Sequence, residues 1–470
     1  MRSAAPLALV LASVAALTAA REQSALPGPE SADATRLVTY AEARPIVERL
    51  APEIAAAVAA GPESEHEPAW RAWAARRDAE IRARLERGDE DSLINLLLFG
   101  TSFTNQPRAG TGTAAFGSPG TTEGIVRRRI DDLIAGIVAP DGNERLEFGG
   151  GVLARRGIDP AAAGGREQAT AYFLAEIARR ADDVGRYART LDSARAQGRG
   201  ELAVRATLYR DRGLSSDTSL RPDFAVGRTL EALRGRGILG AGAVRRAAIV
   251  GPGLDFTDKA EGHDFYPPQT TQPFLVIDSL LRTGLAAAGR LTLTTIDLSS
   301  RVNGHLRNAR QGAADGTGYL LVLPRRRGER WTPDLVRFWQ AAGSRIGDDV
   351  RPMAPPDGVE ARAVRVRPDV LRALQVSDAN VVVERLASAV DGEGFDLVVA
   401  TNVFVYYDLF EQSLALLNIA HMLRPGGILL SNDVLVELPT TPVRSLGHTD
   451  AVYSDGPDDR DQVVWYQRRP

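Results

Sequence analysis

Three stretches of this sequence hold residues whose types and spacing could do chemistry. In Ala247-Ala248-Ile249-Val250-Gly251-Pro252-Gly253-Leu254-Asp255, an apolar run enters a Gly-x-Gly turn. Gly251 and Gly253 let backbone pass close to a ligand and take positive φ, and the same pair also serves a plain tight turn. Asp255 adds a carboxylate to that loop. In Leu291-Thr292-Leu293-Thr294-Thr295-Ile296-Asp297 an acidic residue ends a second apolar run. Asp297 can accept both hydroxyls of a ribose or cap the helix that follows. In Leu397-Val398-Val399-Ala400-Thr401-Asn402, followed by Tyr406-Tyr407, a third run releases an amide and two aromatic rings. The Asn402 carbonyl can orient an acceptor and an aromatic face can hold a cation, so one tyrosine is expected to face the site and the other the core.

These residues can act together only if strands deliver them to one edge. Apolar runs such as Leu397–Ala400 suit strands buried on both faces. Strands are expected at Ala247–Val250, Leu291–Ile296, Leu397–Ala400 and Ile428–Ser431, alternating with helices, which argues for a parallel sheet with right-handed crossovers. Asp408 and Glu411 have capping-box spacing at the start of a helix whose one face carries Phe410, Leu414, Leu417 and His421. Pro425 and Gly426-Gly427 then release the chain into Ile428. Residues 451–453 and 463–466 read as a closing strand pair.

The stretch from Phe395 to Asp408, its helix, and the Leu423–Leu430 segment resemble the class I S-adenosylmethionine-dependent methyltransferases. The wording is most similar to the chemotaxis-receptor methyltransferase type, where a strand, an Asn and a Tyr pair follow in the same order. The likeness covers roughly residues 225 to 470. It implies a Rossmann-like α/β methyltransferase sheet with an antiparallel C-terminal edge strand, S-adenosyl-L-methionine as cofactor, and methyl transfer to an unidentified acceptor. It also implies roles. Gly251, Gly253 and Asp255 would meet the methionine part of the cofactor, Asp297 the ribose, and Asp378-Ala379 the adenine. Asn402, Tyr406 and Tyr407 would form the catalytic loop. The chain departs from the pattern at Ile249, where many members carry a carboxylate, and at Asp255, where a third glycine is common. The alternative that follows is a non-catalytic exported binding or scaffold protein on a degenerate methyltransferase fold.

Upstream, the pattern turns helical. Ile46, Leu50, Ile54 and Val58 recur every four residues, and further helices are expected near 70–85, 91–100, 126–137, 168–179 and 184–195. A mainly α-helical N-terminal domain over 41–224 follows, with a turn-rich junction at Asp211–Phe224 as its boundary and 225–470 as the methyltransferase-like domain. Two segments are longer than their connections require. Thr257–Gln272 is placed to be a lid or acceptor wall, or a surface excursion. Gly312–Asp369 holds a strand-like run at Tyr319–Leu323, the triplet Arg325-Arg326-Arg327 and a helix at Trp331–Ala342.

The 470 residues, 44% hydrophobic and 25% charged, fit a globular chain of two ordinary domains. A net charge of −3 gives no footprint for nucleic acid, and the basic charge is nearly all arginine, Lys259 being the single lysine. With no cysteine there is no thiolate nucleophile, disulfide or Cys-based zinc site, and the five histidines lack ligand spacing, so no metal is expected. Residues 1–20, a short basic end and a small-apolar run, read as a signal peptide, which predicts export to the periplasm or medium; the alternatives are an uncleaved anchor or a spurious start upstream of a cytoplasmic chain. Residues 21–40 read as a linker, and no second span of membrane length follows.

Overall fold

The computed structural model describes residues 34–109, 121–196, 213–257, 263–314, 316, 318–456 and 459–470. The leader and most of the linker lie outside the described residues. The described residues begin with a short strand, β1 (Thr35–Leu37), and three helices, α1 (Tyr40–Leu50), α2 (Pro52–Val58) and α3 (Glu63–Phe99). Then come α4 (Thr121–Val138), α5 (Glu144–Arg155) and α6 (Gly165–Ala196). The two helices expected at 168–179 and 184–195 are thus one: no proline interrupts them, and the helix carries Gly185 within it. The segment expected at 91–100 is the last part of α3, which ends at Gly100.

From α7 (Leu220–Gly235) onward the chain alternates: β2 (Arg246–Val250), α8 (Gln272–Arg282), β3 (Thr292–Asp297) and α9 (Ser300–Ala314). An inserted unit follows, made of β4 (Tyr319–Arg326), α10 (Pro333–Ala341), β5 (Gly347–Val350) and β6 (Val359–Val366), with its own three-stranded sheet. The chain returns through α11 (Pro368–Arg372) to β7 (Leu374–Asp378), β8 (Glu384–Leu386), α12 (Ala387–Asp391) and β9 (Phe395–Ala400). It closes with α13 (Leu409–Met422), β10 (Leu423–Ser431), β11 (Val443–Val452) and β12 (Arg460–Arg468).

Seven strands form one sheet in the order β11-β12-β10-β9-β2-β3-β7. The five from β10 to β7 are parallel. β12 runs antiparallel to both its neighbours. The expected antiparallel C-terminal strand is therefore present, seated one place in from the edge with β11 outermost. Burial explains the order: Val463–Tyr466 of β12 are all buried and need a strand on each side, whereas β11 buries only Val443 and Ala451 and carries Arg444 and Asp450 on its exposed positions, as suits an edge strand. This is a Rossmann-like α/β fold. From the central strand β2 the chain winds outward through β3 to β7, then crosses back to β9 on the other side. The place where the strand order reverses lies between β2 and β9, and there the carboxyl ends of parallel strands leave a crevice.

Alternation along the strands fills two cores. Ala247, Ile249, Leu397 and Val399 point to a face packed by α7, α8 and α9. Ala248, Val250, Val398 and Ala400 point to the opposite face, packed by α13 and by α1, α2 and the first half of α3. The second half of α3 leaves that face and enters a third core with α4, α5 and α6, built on Leu93, Leu97, Ile134 and Phe173. At 37 residues, or about 55 Å, α3 is long enough to belong to both. Residues 41–224 thus divide between the sheet and a separate helical core, and β1 pairs with β8. The Asp408–Glu411 capping box forms as its spacing implies, with bonds of 2.9 and 3.0 Å.

Candidate functional site

A cleft of about 810 Å³ opens at the carboxyl ends of β2, β3, β7 and β9. Its walls include Gly251, Gly253, Asp297, Ala379, Asn402, Tyr406 and Tyr407. Seven of the nine residues singled out from the sequence therefore meet in one place. Asp255 and Asp378 do not line it.

The glycine turn is built for close approach. Gly251 and Gly253 have φ of 66° and 70°, a region costly for other residues. A Cβ on Gly251 would lie 2.8 Å from a Val403 methyl, and one on Gly253 would lie 2.7 Å from the Ser216 carbonyl oxygen. The turn is anchored to the next strand by the Gly251 N–H, which donates to the Ile296 carbonyl at 2.9 Å.

Asp297 serves two purposes. One carboxylate oxygen accepts the Ser299 N–H at 2.7 Å, which organises the entry to α9, while the residue lines the cleft beside the glycine turn. Burial pushes its carboxyl up to about 6, and nearby Asp378 pushes the same way, against hydrogen bonds from the Ser299 and Gly253 backbone. Asp378 ends the adjacent strand in register with Asp297. Its carboxylate turns outward to the Arg82 guanidinium at 2.8 Å and is 42% exposed, so only its neighbour Ala379 reaches the cleft. Asp255 is withdrawn for a different reason. Its backbone bridges that of Gln269, and its carboxylate is buried among the Tyr266 hydroxyl at 2.8 Å and the Gln269 amide at 3.1 Å. Low-dielectric burial suits a carboxylate that is hydrogen-bonded, and that loop supplies the donors.

Asn402 is held in the left-handed region, with φ of 58°. Its N–H donates to Asn432 Oδ1 at 2.8 Å, and Asn432 Nδ2 donates back to Asn402 Oδ1 at 2.7 Å. Reciprocal amide bonds of this kind hold a strained bend that would otherwise relax. Tyr407 is buried, and burial holds its hydroxyl well above the usual tyrosine range. Tyr406 is half-buried, and its carbonyl accepts from Arg84 Nη2 at 2.9 Å.

Several wall residues escaped the sequence reading: Leu85 on α3, Leu214 to Thr218 in the junction, Gln272 at the start of α8, and Thr401. The described part of the junction, from residue 213, runs between α3 and the glycine turn, where the Ser216 carbonyl accepts the Leu254 N–H at 2.6 Å. Gly88 was the available signal, a glycine in the middle of a long helix. A Cβ there would overlap the Leu214 carbonyl. Among the described residues no group of His, Asp or Glu side chains could hold a metal ion, and no helix is long and apolar enough to cross a membrane.

No protein-family model matches this sequence, and no curated protein matches it. Solved structures give distant likenesses. The glycopeptide N-methyltransferase MtfA, complexed with S-adenosyl-L-methionine, is 11% identical over 53% of this chain and 94% of its own, with a TM-score of 0.27. The rRNA methyltransferase aviRa from Streptomyces viridochromogenes is 13% identical over 54% of this chain and 88% of its own, with a TM-score of 0.27. The CurJ carbon methyltransferase is 13% identical over 91% of this chain and 99% of its own, with a TM-score of 0.26. At these scores the class of fold rests on the strand order and the function on the cleft.

Proposed function

We propose that the cleft binds S-adenosyl-L-methionine and that the protein transfers the methyl group to an acceptor yet to be identified. One observation carries the reading: Gly253, Asp297 and Asn402, far apart in the chain, share a single cleft where the strand order reverses. The residues fit such a ligand. Gly251 and Gly253 give backbone that can lie against it, Asp297 is a carboxylate placed for ribose hydroxyls, and Ala379 leaves room for a flat base beside Val381. The bound sulfonium would supply an electrophilic methyl group. The chain's task is to align and to exclude water: Tyr406 and Tyr407 offer aromatic faces to a cation, and the Asn402–Asn432 pair fixes the bend from which an acceptor would be oriented.

Calorimetric titration with S-adenosylhomocysteine tests this. Micromolar binding that disappears in Asp297→Ala supports it. Absence of binding at millimolar ligand leaves the scaffold reading, which Ile249 and the withdrawn Asp255 favour. The finer likeness to chemotaxis-receptor methyltransferases gains no support from the structures named above, so no acceptor class follows from it. Export, expected from residues 1–20, belongs to the same proposal and bears on it, because the donor is made in the cytosol. N-terminal sequencing of the mature protein from cell fractions decides it: a cytosolic chain keeping Met1-Arg2 rejects export and removes the question of donor supply.

A further inference from the structure

The strand feeding the glycine turn brings no carboxylate to the cleft, since Ile249 is fully buried on the face packed by α7 and α8. A ligand with an amino-acid end must find its acceptor elsewhere between β2 and β9. Gln272 lines the cleft at that place. It is the first residue of α8, 2% exposed, and its Nε2 donates to Thr401 Oγ1 at 2.8 Å just beyond β9. The residue before it, Thr271, donates its hydroxyl to Asp223, which is 1% exposed, at 3.0 Å and so anchors the start of α8. With Nε2 donating to Thr401, the carbonyl oxygen is the end left to face the cleft.

We propose that Gln272 Oε1 is the acceptor for the ammonium group of a ligand that carries an α-amino acid, and that it makes the cleft select an adenosyl amino acid over the same nucleoside thioether without one. The assignment rests on the S-adenosylmethionine reading and adds a residue that the glycine-turn pattern does not contain. A neutral carbonyl on a side chain held by Thr401 replaces a strand carboxylate.

The test is calorimetry on the whole protein with two probes, S-adenosylhomocysteine and 5′-methylthioadenosine, which share the nucleoside and differ in the amino-acid end. In Gln272→Met, affinity for S-adenosylhomocysteine should fall about ten- to a hundredfold, the worth of one hydrogen bond to a charged group, with 5′-methylthioadenosine unchanged. Thr401→Val, which removes the hydroxyl that holds the amide, should show the same selective loss at smaller size and serves if Gln272→Met does not fold. Equal losses for both probes would make Gln272 a structural residue and overturn the assignment, as would an unchanged affinity for S-adenosylhomocysteine. Wild-type protein that binds neither probe overturns the cofactor reading and takes the assignment with it.

Discussion

Gly88→Ala should damage the cleft from a position that itself lines none of it. Gly88 sits inside α3 with helical backbone, so alanine there brings no positive-φ penalty and, taken alone, would favour the helix by about 1 kcal/mol. Packing acts against it. The new Cβ would overlap the Leu214 carbonyl oxygen and stand 2.6 Å from its carbon and 3.3 Å from the Leu214 nitrogen. All three are backbone atoms, so no rotamer change relieves the contact and residues 213–218 have to retreat. Retreat strains the Leu214 N–H bond to the Arg84 carbonyl, 3.0 Å long, worth about 1 kcal/mol. It also pulls on the Ser216 carbonyl, which holds the Leu254 N–H, and on the Ser216 hydroxyl, which accepts from Arg301 at 2.8 Å.

Overpacking of this kind costs about 1–3 kcal/mol, and with the lost bond set against the helix gain the net destabilisation is again about 1–3 kcal/mol. The cleft loses the wall from Leu214 to Thr218 in its present place, and affinity for S-adenosylhomocysteine should fall about tenfold or more, since displacements near 1 Å are costly to a preformed site. Urea denaturation measures the first effect and calorimetry the second. Gly151→Ala is the control: Gly151 lies inside α5 with open space where a Cβ would go, so alanine there should stabilise by up to about 1 kcal/mol and leave binding alone. If Gly88→Ala behaved like Gly151→Ala, the close approach of α3 to the junction would not be what positions this wall.

Two further outcomes follow from the same geometry. Gly253→Ala places a Cβ at φ of 70° and 2.7 Å from the Ser216 carbonyl, so ligand binding should weaken at least about tenfold while far-ultraviolet circular dichroism stays that of the wild type. For Asp297, the carboxyl is held up to about 6, above its ordinary value of 3.8, so the fold favours the neutral form. The stability this gives is complete below the ordinary value and is lost as pH rises through about 6. Asp297→Asn, neutral throughout, should therefore melt higher than wild type at about pH 8 and converge with it at about pH 4. Binding runs the opposite way. Hydroxyl donors prefer the charged carboxylate, so wild-type affinity for S-adenosylhomocysteine should rise from about pH 5 to pH 7, whereas the weaker affinity of Asp297→Asn should stay flat.

What was legible in the sequence depended on how local its cause was. Short apolar or threonine-rich runs gave the central strands to within two residues at both ends, apart from β10, which starts at Leu423 rather than Ile428. That difference has a plain origin: α13 ends at Met422 before Pro425 is reached, and the chain pairs with Phe395 at once, then shifts register around Gly426, whose φ is 78°. The Asp408 cap was readable because its partner lies three residues away. The destinations of Asp255 and Asp378 were not, because each is decided by a distant donor, Tyr266 at 11 residues along the same loop in one case and Arg82 on α3 in the other. Arg325 is similar: it lies 4.9 Å over Trp331 and pairs with Glu360 at 3.4 Å, both contacts internal to the inserted unit, while Arg326 and Arg327 are exposed.

The contacts of the junction were not legible for a related reason. A turn-rich segment reads as a boundary because its backbone cannot satisfy itself within a helix or ladder. Those same unsatisfied groups are what allow residues 213–218 to bond on two sides, the Leu214 N–H to α3 and the Ser216 carbonyl to Leu254 past the glycine turn. Ser92 on α3 donates to Asp217 at 3.1 Å, and Arg301 on α9 donates to Ser216. The segment is thus a wall shared between a helix of the N-terminal region and the loop after β2. Helical periodicity in residues 63–99 could say which face was apolar, but not that one half would meet the sheet and the other half a separate core. Because α3 belongs to both cores and carries Gly88 between them, the helical half of the chain helps to set the shape of the cleft as well as being attached to it.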